Sequence, residues 1–171
     1  NEMATTGLMY GSLAALNPGL VMTSISPFGQ DGPNHKFVAQ DLTAWSAGGL
    51  VFLSGAGGRA DLPPLKAFGQ QAGYQAGVNA GVATLGALFS RAGTGKGQHV
   101  DISIQECLVS ILENNYIAWP YDQSTPSRLG FRLIPQDVLQ CRDGYIYVLA
   151  IEEHQWNGAV ELMGNPEWAQ T

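Results

Sequence analysis

Residues 20–33 read LVMTSISPFGQDGP, a strand-like run that opens directly into a loop. The first half is rich in apolar and β-branched residues, which favours a short buried strand at 20–26. Prolines and glycines fill much of the second half, and these are the residues of turns. In an open α/β sheet, ligands lie beyond the carboxyl ends of the strands. We therefore expect the loop at 29–33 to border a functional site.

Helical and strand-like segments alternate after this loop. The pattern predicts helices at 41–48, 70–92 and 104–119, and a second strand at 99–103. The longest helix carries an apolar stripe made of Val78, Val82, Leu85, Leu88 and Phe89. We expect this helix to end in the glycine-rich run 93–97. The order of elements predicts an α/β fold.

The chain changes character near residue 120. Residues 120–135 are rich in serine, proline and arginine, as an irregular linker would be. Beyond them the pattern predicts a turn at 142–144, a strand at 145–149 and a helix at 152–163, and the last residues resemble the start of another helix. We therefore expect one domain over residues 1–120, a linker over 121–137 and the beginning of a second domain over 138–171.

The overall composition limits the class of protein. Of the 171 residues, 45% are apolar and 13% are charged, about half the usual charged share. Much of the surface is therefore expected to be buried against further chain or a partner subunit, and we interpret the sequence as a fragment. The net charge of −6 argues against nucleic acid or an anionic membrane as the main partner. Without a signal-peptide pattern or a long apolar run, the sequence predicts a cytoplasmic protein.

The middle of the chain has features that suit an anionic ligand, and each has a second interpretation. No acidic residue occurs at 62–100, where three basic residues do, although an ordinary helix with few charges would look the same. The glycine loop at 54–58 offers backbone amides to an anion, or is a plain turn. Residues 94–97, TGKG, superficially suggest a phosphate loop, but Ser90 and Gly97 depart from that pattern and favour a helix end.

Cysteine and histidine positions point to no metal site. Cys107 and Cys141 have neither metal-binding nor redox spacing, so we interpret both as small core residues in a reducing compartment. His35, His99 and His154 fall on unrelated elements. We therefore predict that the protein holds no metal ion.

Two further features remain open from the residues alone. Gly73, Gly77 and Gly81 recur at every fourth position of the long predicted helix, which favours close packing of another element or a functional site. Asp41 stands at a helix start beyond the strand-end loop. There it fits a helix-capping residue, and it equally fits a carboxylate in a site.

Several segments of the chain, taken in order, resemble the class III CoA-transferases. They are residues 16–33, the pairs 40–41, 48–49 and 63–64, and the run TGKGQHVD at 94–101. That family includes formyl-CoA transferase, carnitine CoA-transferase and α-methylacyl-CoA racemase. The resemblance implies that residues 1–120 form the C-terminal part of a Rossmann-like large domain and that 138–171 begin a small α+β domain. It also implies a homodimer or heterodimer of interlocked chains.

The resemblance implies a chemistry as well. Transferases of the family use an aspartate that attacks an acyl-CoA thioester, giving a mixed anhydride and then an enzyme thioester. That aspartate matches Gly73, which cannot attack. In the racemase branch a histidine exchanges the α-proton, and it matches Gln40, which is not a base at neutral pH. At Asp41, formyl-CoA transferase has a glutamate beside the bound CoA, so Asp41 is the matched carboxylate that remains.

The same resemblance implies a binding segment. Val38, Ala39, Gln40 and Asp41 match residues that contact CoA, and Lys36 and Lys66 are expected near its phosphates. Coenzyme A or an acyl-CoA would be a substrate, and no permanently bound cofactor is expected.

Three hypotheses for function follow. The first is a CoA-transferase-like protein that moves CoA between an acyl-CoA and an organic acid, with Gly73 at the position of the nucleophile. The second is a non-catalytic CoA-binding subunit of a hetero-oligomeric CoA-transferase. The third is an acyl-CoA racemase or lyase that uses Asp41.

Overall fold

The computed structural model describes residues 2–55, 57, 59–129 and 136–169. The chain forms two compact units, the first from residues 1–55 and 62–127 and the second from residues 56–61 and 128–171. The elements of the first unit are α1 (Glu2–Thr5), α2 (Tyr10–Leu16), β1 (Met22–Ser26), α3 (Asp41–Ala47), α4 (Leu50–Leu53), α5 (Gln71–Thr94), β2 (His99–Ser103), α6 (Ile104–Ser110) and α7 (Asn114–Asp122). This mixture of helices with a parallel strand pair confirms the predicted α/β class.

The two strands of the first unit pair in parallel, with Met22 opposite His99 and Ser26 opposite Ser103. Both lie within the segments where the sequence predicts strands. Because parallel strands need a crossover connection, the chain passes through α3, α4 and α5 before it returns as β2. The carboxyl ends of both strands therefore lie at the same edge of the sheet, beside the loop that begins at Pro27.

The long helix α5 packs through its small residues. Its buried face consists of Ala72, Ala76, Ala80 and Ala87. The apolar stripe of the sequence lies on a different face: Leu88 is half-buried, and Val78, Val82, Leu85 and Phe89 are exposed. Alanine lets the helix backbone approach the sheet closely, and the period of a helix does not tell which of two apolar faces turns inward.

The glycines of α5 also face away from the core. Nothing lies within 4 Å of the place that a Cβ would take at Gly73, Gly77 or Gly81. Within the described residues, the close packing that their spacing favours is therefore absent.

The end of α5 agrees with the predicted helix stop. Gly95 has a φ of 68° and its N–H donates to the Arg91 carbonyl over 2.8 Å. A positive φ is easy for glycine and closes a helix. A phosphate loop would precede a helix, whereas TGKG follows one, so the helix-end interpretation of this run is confirmed.

The core of the first unit lies between α3, α5, α6 and β2. One buried cluster joins Ala44 and Trp45 of α3 to Ala72 and Leu108. Gly48, just after α3, allows this contact, because a Cβ there would lie 2.5 Å from the Leu108 Cβ. Leu108 is the largest fully buried side chain among the described residues.

The segment 104–119 forms two helices rather than the single predicted one. α6 begins with Ser103 as its cap, whose hydroxyl accepts from the Glu106 N–H. The chain breaks at Glu113, which has a φ of 52°, and α7 then continues to Asp122 with Pro120 inside it. The irregular segment that was expected from residue 120 therefore begins after Asp122, and residues 130–135 lie outside the described part.

The second unit contains an antiparallel hairpin, β3 (Gln136–Cys141) and β4 (Gly144–Leu149), and the helix α8 (Glu153–Leu162). β4 and α8 confirm the predicted strand and helix, whereas β3 falls partly in the predicted linker. At the start of α8, Glu152 and Gln155 form a reciprocal capping box. The helix expected at the end of the chain is a short 3-10 helix, Glu167–Ala169, whose Trp168 ring lies 6.5 Å from that of Trp156.

Candidate functional site

Asp41, the matched carboxylate, is turned toward the start of another helix. It is the first residue of α3, whose N-cap is Gln40. Its Oδ1 accepts a 2.9 Å hydrogen bond from the Ala72 N–H, in the first turn of α5. Its Oδ2 lies 2.7 Å from the Lys66 Nζ, and its side chain is only 9% exposed. Asp41 therefore caps the N-terminus of α5 and does not cap its own helix, α3.

Lys66 completes this arrangement from the segment before α5. Its ammonium group also donates to the carbonyl oxygens of Ala67 and Gly69. The Lys66 ammonium thus binds two carbonyl oxygens of its own segment and links this segment to Asp41. Its ammonium is already paired with a carboxylate, while Lys36 is exposed. Of the two lysines expected near phosphates, Lys36 is the better placed to meet a ligand.

The surroundings of Asp41 favour its charged form. Burial opposes ionisation, but the hydrogen bond from Lys66, the Ala72 N–H, the positive charge of Lys66 and the Gly73 N–H together lower its pKa below the ordinary value. The N-terminus of a helix is also a favourable place for an anion. A carboxylate held in this way stays ionised at neutral pH and is a weak proton acceptor.

Gly73 stands in the first turn of α5, next to the residue that Asp41 binds. It is exposed, and no atom lies within 4 Å of a Cβ built on it. A Cβ at residue 73 would therefore meet no neighbouring atom. The first turn of α5 is therefore open at residue 73 and carries no reactive side chain there.

The expected CoA-contacting segment leads into α3. Val38 is 89% exposed, Gln40 is exposed and Ala39 is half-buried against the first core cluster. Asp41 ends this segment and connects it to the first turn of α5. The structure thus brings Asp41 together with the backbone of Ala72 and Gly73, and leaves Val38 and Gln40 open to solvent.

The remaining sequence candidates lie elsewhere. Of the glycine loop at 54–58, residues 56 and 58 fall outside the described part of the chain. His35 Nδ1 lies 2.6 Å from the carbonyl of Gly32 in its own loop, and His99 bonds to Ser24. Across the residues that the structure describes, no cluster of His, Cys, Asp and Glu is arranged to hold a metal ion.

Both cysteines are free, with Cys107 buried and Cys141 partly exposed. Burial raises the pKa of the Cys107 thiol, with a smaller contribution from Glu106, so this thiol stays protonated. No helix in the described ranges is long and apolar enough to cross a membrane.

The pairing of Asp41 with Lys66 is the feature of this region that the sequence did not reveal. The two residues belong to different elements, and periodicity says nothing about contacts between distant segments. The available signal was an isolated lysine just before the start of a long helix whose first turn has no acidic residue.

The fold is that of an α/β protein. Within it, the Asp41 carboxylate caps the start of α5, and the space around residue 73 is open. The chain belongs to CoA-transferase family III, whose family model matches residues 1–171.

Known proteins support this assignment. The chain is 31% identical to the acetyl-CoA:oxalate CoA-transferase of Acetobacter aceti, over 98% of this chain and 43% of the relative. It is 34% identical to subunit BbsE of the succinyl-CoA:(R)-benzylsuccinate CoA-transferase of Thauera aromatica, over 95% of this chain and 40% of the relative. A crystal structure of a CAIB/BAIF family protein from Brucella suis matches with a TM-score of 0.80 and 31% identity, over 99% of this chain and 45% of that one. The chain therefore spans less than half the length of these relatives.

Proposed function

We propose that the complete protein handles acyl-CoA in the transfer of CoA between an acyl-CoA and an organic acid. Membership of CoA-transferase family III over the whole chain supports this function. CoA or an acyl-CoA is then a substrate, and the reaction needs no permanently bound cofactor. The exposed segment at Val38, Ala39 and Gln40, ending in Asp41, is the proposed contact with CoA.

The nucleophile is the point at which this chain differs from the proposed chemistry. Attack on a thioester needs a carboxylate oxygen, and the first turn of α5 offers only the hydrogen of Gly73 at the matched position. Asp41 is a poor substitute, because its oxygens are bonded to Ala72 and Lys66. We propose that the chain alone does not form the enzyme anhydride. The open space at Gly73 is the single observation that carries this proposal.

The nucleophile would then come from a second chain. The Thauera aromatica relative is named as a subunit of a CoA-transferase, so unlike chains occur in this family. We propose a heterodimer of interlocked chains in which this one binds CoA and its partner carries the aspartate. A strictly non-catalytic CoA-binding subunit is the second candidate, and it differs only in having no role in turnover.

A racemase or lyase that uses Asp41 fits the contacts less well. Proton exchange needs a base that reaches the substrate and accepts a proton. The Asp41 side chain is only 9% exposed and ion-paired, and its pKa is lowered. Exchange of the α-proton of a branched acyl-CoA in deuterated water, lost in Asp41→Asn, would favour this third function over CoA transfer.

Hydroxylamine trapping tests the proposal on the complete protein. Hydroxylamine converts an enzyme carboxyl thioester into a hydroxamate, which peptide mass spectrometry can locate. We expect no hydroxamate on the unmutated chain with an acyl-CoA alone, and a hydroxamate at residue 73 in Gly73→Asp. Gly77→Asp is the matched control, since Gly77 lies one turn further on α5 with equally open space. A hydroxamate on a carboxylate of the unmutated chain without a partner would refute the proposal.

The domain organisation belongs to the same proposal. Residues 1–120 would be the C-terminal part of the large domain, 121–137 a linker and 138–171 the start of the small domain. The division of the chain into two compact units between residues 127 and 128 supports a boundary in this region. We also propose that the protein acts in the cytoplasm, where CoA thioesters are made and used.

A further inference from the structure

The two strands of the parallel sheet turn one face toward α5 and the other face away from it. Thr23 bonds to Thr84 of α5 over 2.6 Å, and Ile102 packs beside the alanines of that helix. Because side chains alternate along a strand, Ser24 and His99 lie on the opposite face. Parallel sheets are normally apolar on both faces. Polar side chains on this second face therefore call for an explanation beyond packing.

Two of these polar side chains are in direct contact. The Ser24 Oγ lies 2.8 Å from the His99 Nε2, on the neighbouring strand. In the tautomer that carries its proton on Nδ1, the His99 Nε2 accepts a hydrogen bond that the Ser24 hydroxyl donates. The Tyr10 ring of α2 stacks on the imidazole, with ring centroids 5.3 Å apart and planes inclined by 17°. The stacked tyrosine restricts the orientation of the imidazole.

The pair opens into a cavity of about 350 Å³, a size typical of small-ligand sites. Met3, Leu8, Met9 and Met22 supply the apolar part of its wall. Gln30 and Asp31, from the loop after β1, add polar groups beside Ser24 and His99. Methionine side chains adapt to ligands of differing shape, so this wall suits a short apolar acyl chain.

We propose that Ser24 and His99 are a nucleophile and its general base, and that this cavity hydrolyses an acyl ester or thioester. The Ser24 Oγ attacks the carbonyl carbon while His99 Nε2 takes the hydroxyl proton, within the distance that such pairs need. The bond from the carbonyl carbon to oxygen or sulfur breaks, and the leaving group receives the proton from His99. Water, deprotonated by His99, then cleaves the acyl-serine, and a carboxylic acid and free Ser24 result.

This inference does not rest on the proposed CoA transfer. It needs no acceptor acid and no carboxylate at residue 73. Its covalent intermediate lies on Ser24, whereas the intermediate of CoA transfer lies on a carboxylate, so peptide mass spectrometry distinguishes the two.

The test uses the complete protein with an alkyl fluorophosphonate, a probe that marks activated serines. Mass spectrometry of the labelled peptides should locate the phosphonate on Ser24. Hydrolysis is followed in parallel with butyryl-CoA, by release of free thiol, and with p-nitrophenyl butyrate, by release of nitrophenol. Cleavage of the first assigns a sulfur leaving group, and cleavage of the second an oxygen one.

Three variants decide the outcome. Ser24→Ala should abolish labelling and hydrolysis, and His99→Gln should slow both by about 100-fold or more, the usual contribution of a general base. Ser26→Ala, on the same strand, is the matched control and should leave both rates unchanged. Labelling of Ser24 in His99→Gln at the unmutated rate would overturn the proposal, as would hydrolysis that persists in Ser24→Ala. Circular dichroism checks that each variant folds. If His99→Gln does not fold, the result for Ser24→Ala, which removes only one oxygen atom, decides the outcome.

Discussion

Asp41, at the start of α3, closes the first turn of α5 through the 2.9 Å hydrogen bond that its Oδ1 accepts from the Ala72 N–H. The residue in the capping position of α5, Gln70, makes no such bond with its own side chain. The first turn of this helix is therefore completed by a residue of another helix. Gly73, the next residue, lies in the turn that this contact closes.

Asp41→Asn should destabilise the complete protein by about 1–3 kcal/mol, because it removes the charge from a buried cap and leaves Lys66 unpaired. Urea unfolding, followed by circular dichroism, measures the change. Glu161→Gln, which neutralises an exposed acid on α8, is the control and should have little effect. An equal loss in both variants would mean that only net charge matters.

The ion pair between Asp41 and Lys66 should show energetic coupling. In a double-mutant cycle with Asp41→Asn and Lys66→Met, we expect an interaction free energy of about 0.5–3 kcal/mol. The same cycle on Arg59 and Asp61, an ion pair of which both side chains are more than half exposed, should give no measurable coupling. Additive effects at Asp41 and Lys66 would argue that the two groups act independently.

Asp41 should make the unfolding free energy of the protein depend on pH in the acidic range. Its pKa is lowered in the folded state, so the unfolded chain binds the proton more readily. The stabilisation is thus complete above the unfolded pKa, about 4, and is lost as the pH falls through the lower folded value. Unfolding free energies between pH 7 and about pH 2 should show the unmutated protein and Asp41→Asn converging at the acidic end. A constant difference would contradict this assignment.

Gly48→Ala should cost about 1–3 kcal/mol, because its methyl group would lie 2.5 Å from the Leu108 Cβ in a packed core. For Gly86→Ala we expect the opposite effect, a gain in stability. Nothing lies within 4 Å of a Cβ there, so alanine should stabilise α5 by about 0.5–1 kcal/mol. Thermal unfolding of the two variants separates a close approach of backbone from an ordinary helix position.

The strands and helix ends were the predictable part of this fold. The β-branched run before Pro27 and the glycines after α5 act through neighbouring residues, and such local signals survive in the folded chain. The inward face of α5 was not predictable in this way. Alanine and valine both fit an apolar stripe, and the choice between them depends on how closely the sheet approaches.

The candidate site, too, was predictable from the sequence only in part. The position of Asp41 at the start of a helix followed from the sequence, whereas its bonds to Lys66 and Ala72 did not. Those contacts join segments that come together only when α3, α5 and the loop between them are folded. The sequence does not predict the break at Glu113 for a related reason, since apolar residues on both sides continue one helical period.

The open space around Gly73 bears on how this chain can change over generations. Every glycine codon becomes an aspartate or a glutamate codon by a single base change. The Cβ of the new side chain would enter a helix start already held by Asp41, with no atom of the described chain in its way. A lineage that carries this chain therefore stands one mutational step from a carboxylate at this position, and drift or selection can cross that step in either direction.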